Sequence, residues 1–490
     1  MRKSGILMHI SSLPNPYGIG SVGKCAYEFV DFLCEAGQAC WQILPLSPTG
    51  YGDSPYQSFS TFAGNHYLID LDLLIGEGLL KQEEVDAVCW SREEGRVDYG
   101  CLYDNRAGLL RRAYERFVPD EAFDRYVKDN AAWLEDYALF MALKEKYRGI
   151  AWQNWPKGLA LRHPEAMDSC REEMKDAIGF HSFLQFVFFR QWSALRGYAN
   201  EKGIRIIGDV PIYVPLDSAD VWSNPSLFQL DNSGCPKAVA GCPPDSFTAE
   251  GQLWGNPLYD WDKMKETGFA WWIGRLSAAA RMYDVVRLDH FRGFESYWAV
   301  PAGDKTAVGG SWMPGPGSDF IRAIRKALPE LDFIAEDLGY VTPEVRRLQE
   351  ESGYPGMKVM QFAFDSREES DYLPHTYPVN SVCYTGTHDN LTMAQWFEEA
   401  APEDIALAKA YLGLNEEEGP VWGVIRGCMG SVSKLCVIQM QDYLELGGFA
   451  RMNFPGTLSA NNWTWRAEKG FITEALTKRI REITRRYGRL

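Results

Sequence analysis

Residues 283–290 read YDVVRLDH and residues 331–338 read LDFIAEDL. Each is a short apolar run, partly β-branched, that stops at charged side chains. A strand with one wet face alternates polar and apolar residues, whereas a near-continuous apolar run of this length marks a strand buried on both faces of a parallel sheet. Six further runs have this character: GILMHI at 5–10, CWQILPL at 40–46, IRIIGDV at 204–210, MKVMQFAF at 357–364, SVCYTGTHDN at 381–390 and KLCVIQMQ at 434–441. Helix-patterned stretches such as 323–328 and 343–350 separate them. Eight such runs predict an α/β fold, a closed (β/α)8 barrel.

A barrel of this kind needs about 250 residues, and the chain has 490. The whole of 1–490 is therefore read as one catalytic barrel domain carrying insertions. Residues from about 65 to 200 are rich in helix formers, with Trp133, Tyr137, Phe140 and Leu143 at helical spacing, and are read as a mostly helical subdomain. Residues 211–262 carry many Pro, Gly, Asp and Asn and predict a loop-rich subdomain over the barrel mouth.

A net charge of -16 disfavours a nucleic-acid or anionic-membrane partner, since both reward clustered Lys and Arg. Seventeen Trp and 24 Tyr suit the flat faces and hydroxyl rims of sugars, although a large core also uses aromatics. The eleven cysteines include no C-x-x-C pair, which indicates neither a disulfide framework nor a zinc site. The apolar stretch after Met1 is cut short by His9, Ser11 and Ser12, and no run approaches the ~18 apolar residues that span a bilayer. The expectation is a soluble, cytoplasmic protein.

Active sites of such barrels form at the carboxyl ends of the strands. Four runs end there in acids: Asp209, Asp289, Glu336 with Asp337, and Asp389. Any one of them could equally be a structural partner of an arginine; four together point to a site. Glycosidic bond cleavage needs one carboxyl neutral, to protonate the leaving oxygen, and one ionised, to attack the anomeric carbon. Arg287 lies two residues before Asp289, on the same face of a strand, where its guanidinium can hold a carboxylate ionised. Glu336 has apolar neighbours in Phe333, Ile334 and Ala335, and crowding by other acids would raise its pKa toward that of a general acid. His290 and His388, each beside one of these acids, are read as donors to substrate hydroxyls. Neither an H-E-x-x-H pattern nor a D-x-D-x-D-G loop is present to suggest a metal.

Longer blocks carry a resemblance. SGILMHISSLPNPYGIG at 4–20, WQILPLSPTGYGDSPYQSFSTFAGN at 41–65, IIGDVPIYVPLDSADVW at 206–222 and GQLWGNPLYDWD at 251–262 are followed by VVRLDHFRGFESYWAVPAG at 285–303, IAEDLG at 334–339, YTGTHDN at 384–390, and ARMNFPGT with NNWTWR near the end. In these blocks, end to end, the chain resembles the 4-α-glucanotransferases of the α-amylase clan, glycoside hydrolase family 77. The resemblance implies transfer of α-1,4-glucan segments between maltooligosaccharides with retention, and no metal or organic cofactor. It implies Asp289 as nucleophile, Glu336 as acid/base and Asp389 as the acid that grips sugar hydroxyls. Arg287, His290 and His388 take supporting positions, and Asp209 matches the acid of the clan's first motif. Tyr56 is similar to the tyrosine that stacks on the sugar at the cleavage point. Trp254 and Phe247 fall in a cover loop over the cleft, Asn256 is a hydrogen-bonding partner for substrate, and Tyr51 belongs to a secondary glucan groove.

Three positions depart from the family pattern: His66, Leu391 and Ser246, the last where the cover loop commonly has an aromatic. The rival reading is an amylase-like hydrolase using the same two acids, because both chemistries retain configuration and differ only in the acceptor.

Overall fold

The computed structural model describes residues 2–244, 248–339, 341–367 and 370–490, with the side chain of Tyr51 also left out. Among these residues the strands are β1 (Lys3–Leu7), β2 (Cys40–Gln42), β3 (Arg205–Val210), β4 (Ala238–Cys242), β5 (Gln252–Pro257), β6 (Val285–Leu288), β7 (Ser296–Pro301), β8 (Ser311–Pro314), β9 (Asp332–Ala335), β10 (Gly356–Val359), β11 (Ser381–Tyr384) and β12 (Leu435–Gln439). The eight apolar runs supply β1, β2, β3, β6, β9, β10, β11 and β12. These close into a barrel in the order β1-β12-β11-β10-β9-β6-β3-β2, every pair parallel, with β1 bonded to both β12 and β2. Residues of β2, β6 and β11 are buried at every position, as expected of strands packed inside and out. The fold is a (β/α)8 barrel.

Between β2 and β3 the chain is dominated by helices, from Leu71–Gly76 to the long Lys175–Glu201, which packs against Ala131–Lys146 and delivers the chain to β3. Two glutamines of the long helix hold the loop beyond β2 by its backbone. The Gln185 side chain accepts from the Gly64 N–H at 2.7 Å and donates to its carbonyl at 2.9 Å, and Gln191 does the same for Asp70 at 2.7 and 3.2 Å. Gly64 must lack a side chain there, since a Cβ would come within 1.9 Å of the Phe188 ring. The loop that carries Tyr56 is thereby fixed to the helices.

The stretch 211–262, expected to be loop-rich, contains β4 and β5. They pair antiparallel with each other and with the hairpin β7–β8 that follows β6, in the order β5-β4-β7-β8. Gly241 and Gly255 interrupt these strands and a register shift lies between Val239 and Gly241, which explains why no alternating pattern shows in the sequence. The aromatic excess divides between uses: Trp41, Trp152, Trp192, Trp222 and Trp272 are fully buried core, while Trp254, Trp312, Trp396 and Trp463 face the cleft. The cysteines are free. Among the described residues no helix is long and apolar enough to cross a membrane.

Candidate active site

A cleft of about 2440 Å³ opens at the carboxyl ends of the barrel strands, well beyond the 300–1,000 Å³ typical of a small-molecule pocket. Its floor carries Arg287, Asp289, Glu336, His388 and Asp389. β6 and β9 are neighbours in the barrel, and Asp289 and Glu336 each stand one residue past the end of their strand, so register places them side by side.

Arg287 is at the centre. Its Nη1 donates to both oxygens of Asp209, at 2.9 and 2.7 Å, and to Oδ1 of Asp289 at 2.8 Å. The same-face relation of Arg287 and Asp289 is thus a direct ion pair. The Asp289 side chain is 27% exposed toward the cleft, while that of Asp209 is 1% exposed. Asp209 was expected to bind substrate; the fold instead places it beneath the floor, because it lies within β3, where both its oxygens are taken up by Arg287 and one by the Tyr56 hydroxyl at 2.8 Å.

Glu336 is held differently. The His290 N–H donates to its Oε2 at 2.7 Å and the Leu338 N–H to its Oε1 at 2.8 Å. Its pKa is pushed up to about 7, chiefly by burial; Arg287 and the two N–H donors oppose the rise and Asp289 adds to it. Desolvation, more than crowding by acids, therefore brings this carboxyl into the range of a general acid/base. The His290 N–H reaches Glu336 because His290 adopts a left-handed backbone, φ 52°, sparsely populated by non-glycine residues. Burial pushes the His290 imidazole down to about 4, so it is neutral at pH 7.

The third acid, Asp389, is not at a strand end. It lies beyond β11, in the turn after Thr387, with its side chain 44% exposed. Asn453 donates to its Oδ1 at 2.6 Å, His388 Nε2 lies 3.3 Å from its Oδ2, and Arg451 donates to its backbone carbonyl at 2.8 Å. The His388 ring stacks on Tyr56, centroids 5.0 Å apart and planes 16° apart, and Trp463 packs against both. Contacts therefore run unbroken from Asp289 through Arg287, Asp209, Tyr56 and His388 to Asp389. Arg451, Asn453 and Trp463 had no assigned role in the sequence; the signal available was their place in the ARMNFPGT and NNWTWR blocks.

Trp254 meets His290 edge to face, centroids 4.8 Å apart, and hangs over the floor from β5, with Asn256 on the cleft wall nearby. Phe247 and Ser246 of the cover loop lie outside the described residues, as does the side chain of Tyr51, whose backbone begins the short turn Tyr51–Asp53. Among the described residues no group of three or more His, Cys, Asp or Glu is placed to hold a metal ion.

The family model described as 4-alpha-glucanotransferase matches residues 8–473. The 4-alpha-glucanotransferase of Clostridium butyricum is 48% identical over 98% of this chain and 100% of its own. That of Streptococcus pneumoniae is 48% identical over 100% of this chain and 98% of its own. Among solved structures, amylomaltase from Streptococcus agalactiae in complex with acarbose superposes with a TM-score of 0.97 at 43% identity, each chain covered completely.

Proposed function

The chain belongs to the 4-alpha-glucanotransferase family, glycoside hydrolase family 77, and on that premise we propose that its cleft works by a retaining double displacement with Asp289 as nucleophile and Glu336 as acid/base. The reaction moves a segment of an α-1,4-glucan to the 4-hydroxyl of glucose or of another α-1,4-glucan. The observation that supports the mechanism best is the unequal treatment of two adjacent carboxyls: Asp289 is paired to Arg287, and Glu336 is buried with its pKa near 7.

In the first half-reaction the Asp289 carboxylate attacks the anomeric carbon. The bond to the bridging oxygen breaks, and Glu336 gives its proton to that oxygen. In the second, Glu336 takes the proton from an acceptor 4-hydroxyl, whose oxygen bonds to the anomeric carbon as the Asp289 ester bond breaks. Retention follows from the two inversions, with carboxyls of such enzymes about 5–5.5 Å apart. Asp389, fixed by Asn453, grips hydroxyls of the reacting sugar, with Tyr56 beneath that sugar and His388 beside Asp389. His290, neutral at pH 7, positions Glu336 through its N–H. Trp254 and Asn256 stand on the acceptor side of the cleft and disfavour water there. The helices of 65–200 and the cover segment 211–262 serve this single barrel.

The competing hydrolase differs only in the acceptor. Incubation with maltotriose decides: a ladder of longer and shorter maltooligosaccharides plus glucose is expected, and accumulation of small sugars with no product longer than maltotriose overturns transfer.

A further inference from the structure

The cover sheet has a second edge that the reaction as described leaves unused. β5, at one edge, presents Trp254 and Asn256; β8, at the other, is exposed along its whole length and places Trp312, 39% exposed, on the cleft wall. Strand register aligns Leu253 with Gly241, Gly241 with Trp298, and Trp298 with Trp312. Directly paired residues share a face, so these four form one row across the sheet. Three inter-strand steps of about 4.8 Å make the row roughly 14 Å long, and its two ends, Leu253 and Trp312, both line the cleft.

The Trp312 indole is held in place. Trp298 packs against it at 5.1 Å between centroids, planes 68° apart, and the Arg292 guanidinium lies 3.8 Å from the ring centroid. Arg292 is itself buried and its Nη2 donates to Ser296 Oγ at 3.1 Å, which fixes the cation against the indole. A large, flat, rigid apolar ring left open on an edge strand of a cleft costs little entropy to use and offers its area to a ligand.

The sheet also has a side. Trp254, on the face of β5 opposite Leu253, touches His290, whose N–H holds Glu336; Arg292, which lies against Trp312, follows His290 by two residues, so the sheet stands on the side of the proton donor. Tyr56, His388 and Asn453 gather around Asp389 instead. Leaving group and acceptor must both pass where Glu336 can reach the bridging oxygen. We infer that Trp312 is an acceptor-side platform, stacking on a sugar unit beyond the one whose 4-hydroxyl reacts, and that it sets the preference for acceptors longer than a single glucose.

This rests on the transferase reading, and one experiment separates the two. With amylose as donor, reducing-end-labelled glucose and labelled maltotriose compete as acceptors, and label entering longer chains is counted for each. Trp312→Ala is expected to lower the maltotriose-to-glucose ratio about fivefold, and Trp312→Phe to restore most of it. An unchanged ratio in Trp312→Ala, or equal loss for both acceptors, overturns the platform alone. An unmutated protein that labels no longer chain overturns transfer, and the platform with it.

Discussion

Asp289 and Glu336 occupy equivalent places, each one residue past the end of adjacent strands, yet their surroundings are opposite. Asp289 has a guanidinium at 2.8 Å and a partly open side chain; Glu336 is buried and has two backbone N–H groups for partners. A cation compensates a full charge, whereas two N–H dipoles only offset part of the desolvation. The difference teaches that the proposed division of labour rests on the residues around the acids: Arg287, two positions before one, and the left-handed His290, whose N–H is donated across to the other strand end.

The sharpest way to break this comparison is to remove each acid separately. Asp289→Asn is expected to lower kcat by about 10⁴-fold or more with every donor, since no other group can form the covalent intermediate. Glu336→Gln is expected to lose about 10³-fold with maltooligosaccharides. With a maltosyl fluoride, whose leaving group needs no proton, its first half-reaction should recover most of that loss, while Asp289→Asn stays inactive. Recovery in both variants, or in neither, would show that the two carboxyls are not divided into nucleophile and acid. The parent's kcat/KM should also fall as pH rises through about 7, the value to which Glu336 is pushed, and this limb should vanish in Glu336→Gln.

The two regions also differ in how far the sequence exposes them. The barrel was legible because eight runs buried on both faces leave no alternation to misread, and Arg287 with Asp289 was legible because two residues on a strand share a face. Three things were not. The cover sheet is built from short, glycine-interrupted strands whose pairing depends on the β7–β8 hairpin after β6. Asp209 ends an apolar run like the others, but whether an acid there faces the cleft or an arginine beneath it depends on the position within the strand. Asn453 comes from the far end of the chain, so its bond to Asp389 has no local trace in sequence.

Asp209 offers a milder test, because it acts on Asp289 only through Arg287. Asp209→Ala leaves a buried guanidinium with a single carboxylate and deprives the Tyr56 hydroxyl of its acceptor. A loss of about 3 kcal/mol in folding stability is expected, read by urea denaturation, with kcat reduced about 10–100-fold as Arg287 and Tyr56 lose their fixed positions. Asp209→Asn should recover part of the stability. A variant as stable and active as the parent would mean that Asp289 alone suffices to hold Arg287.

The smallest effect lies in the pH dependence of stability. Glu336 titrates near 7 in the fold against about 4.5 when exposed, so below pH 4.5 both states keep the proton and the group favours neither. Between 4.5 and 7 the unfolded chain releases its proton while the folded protein retains it, and rising pH therefore favours unfolding. The loss begins as pH rises past 4.5, is complete once pH passes 7, and amounts to about 3 kcal/mol. Glutamine cannot ionise and removes the dependence. Glu336→Gln should melt progressively higher than the parent between pH 5 and pH 8, by a few degrees at the upper end. A melting difference that is constant across this range would place the origin of the Glu336 effect in packing and leave its proton out of it.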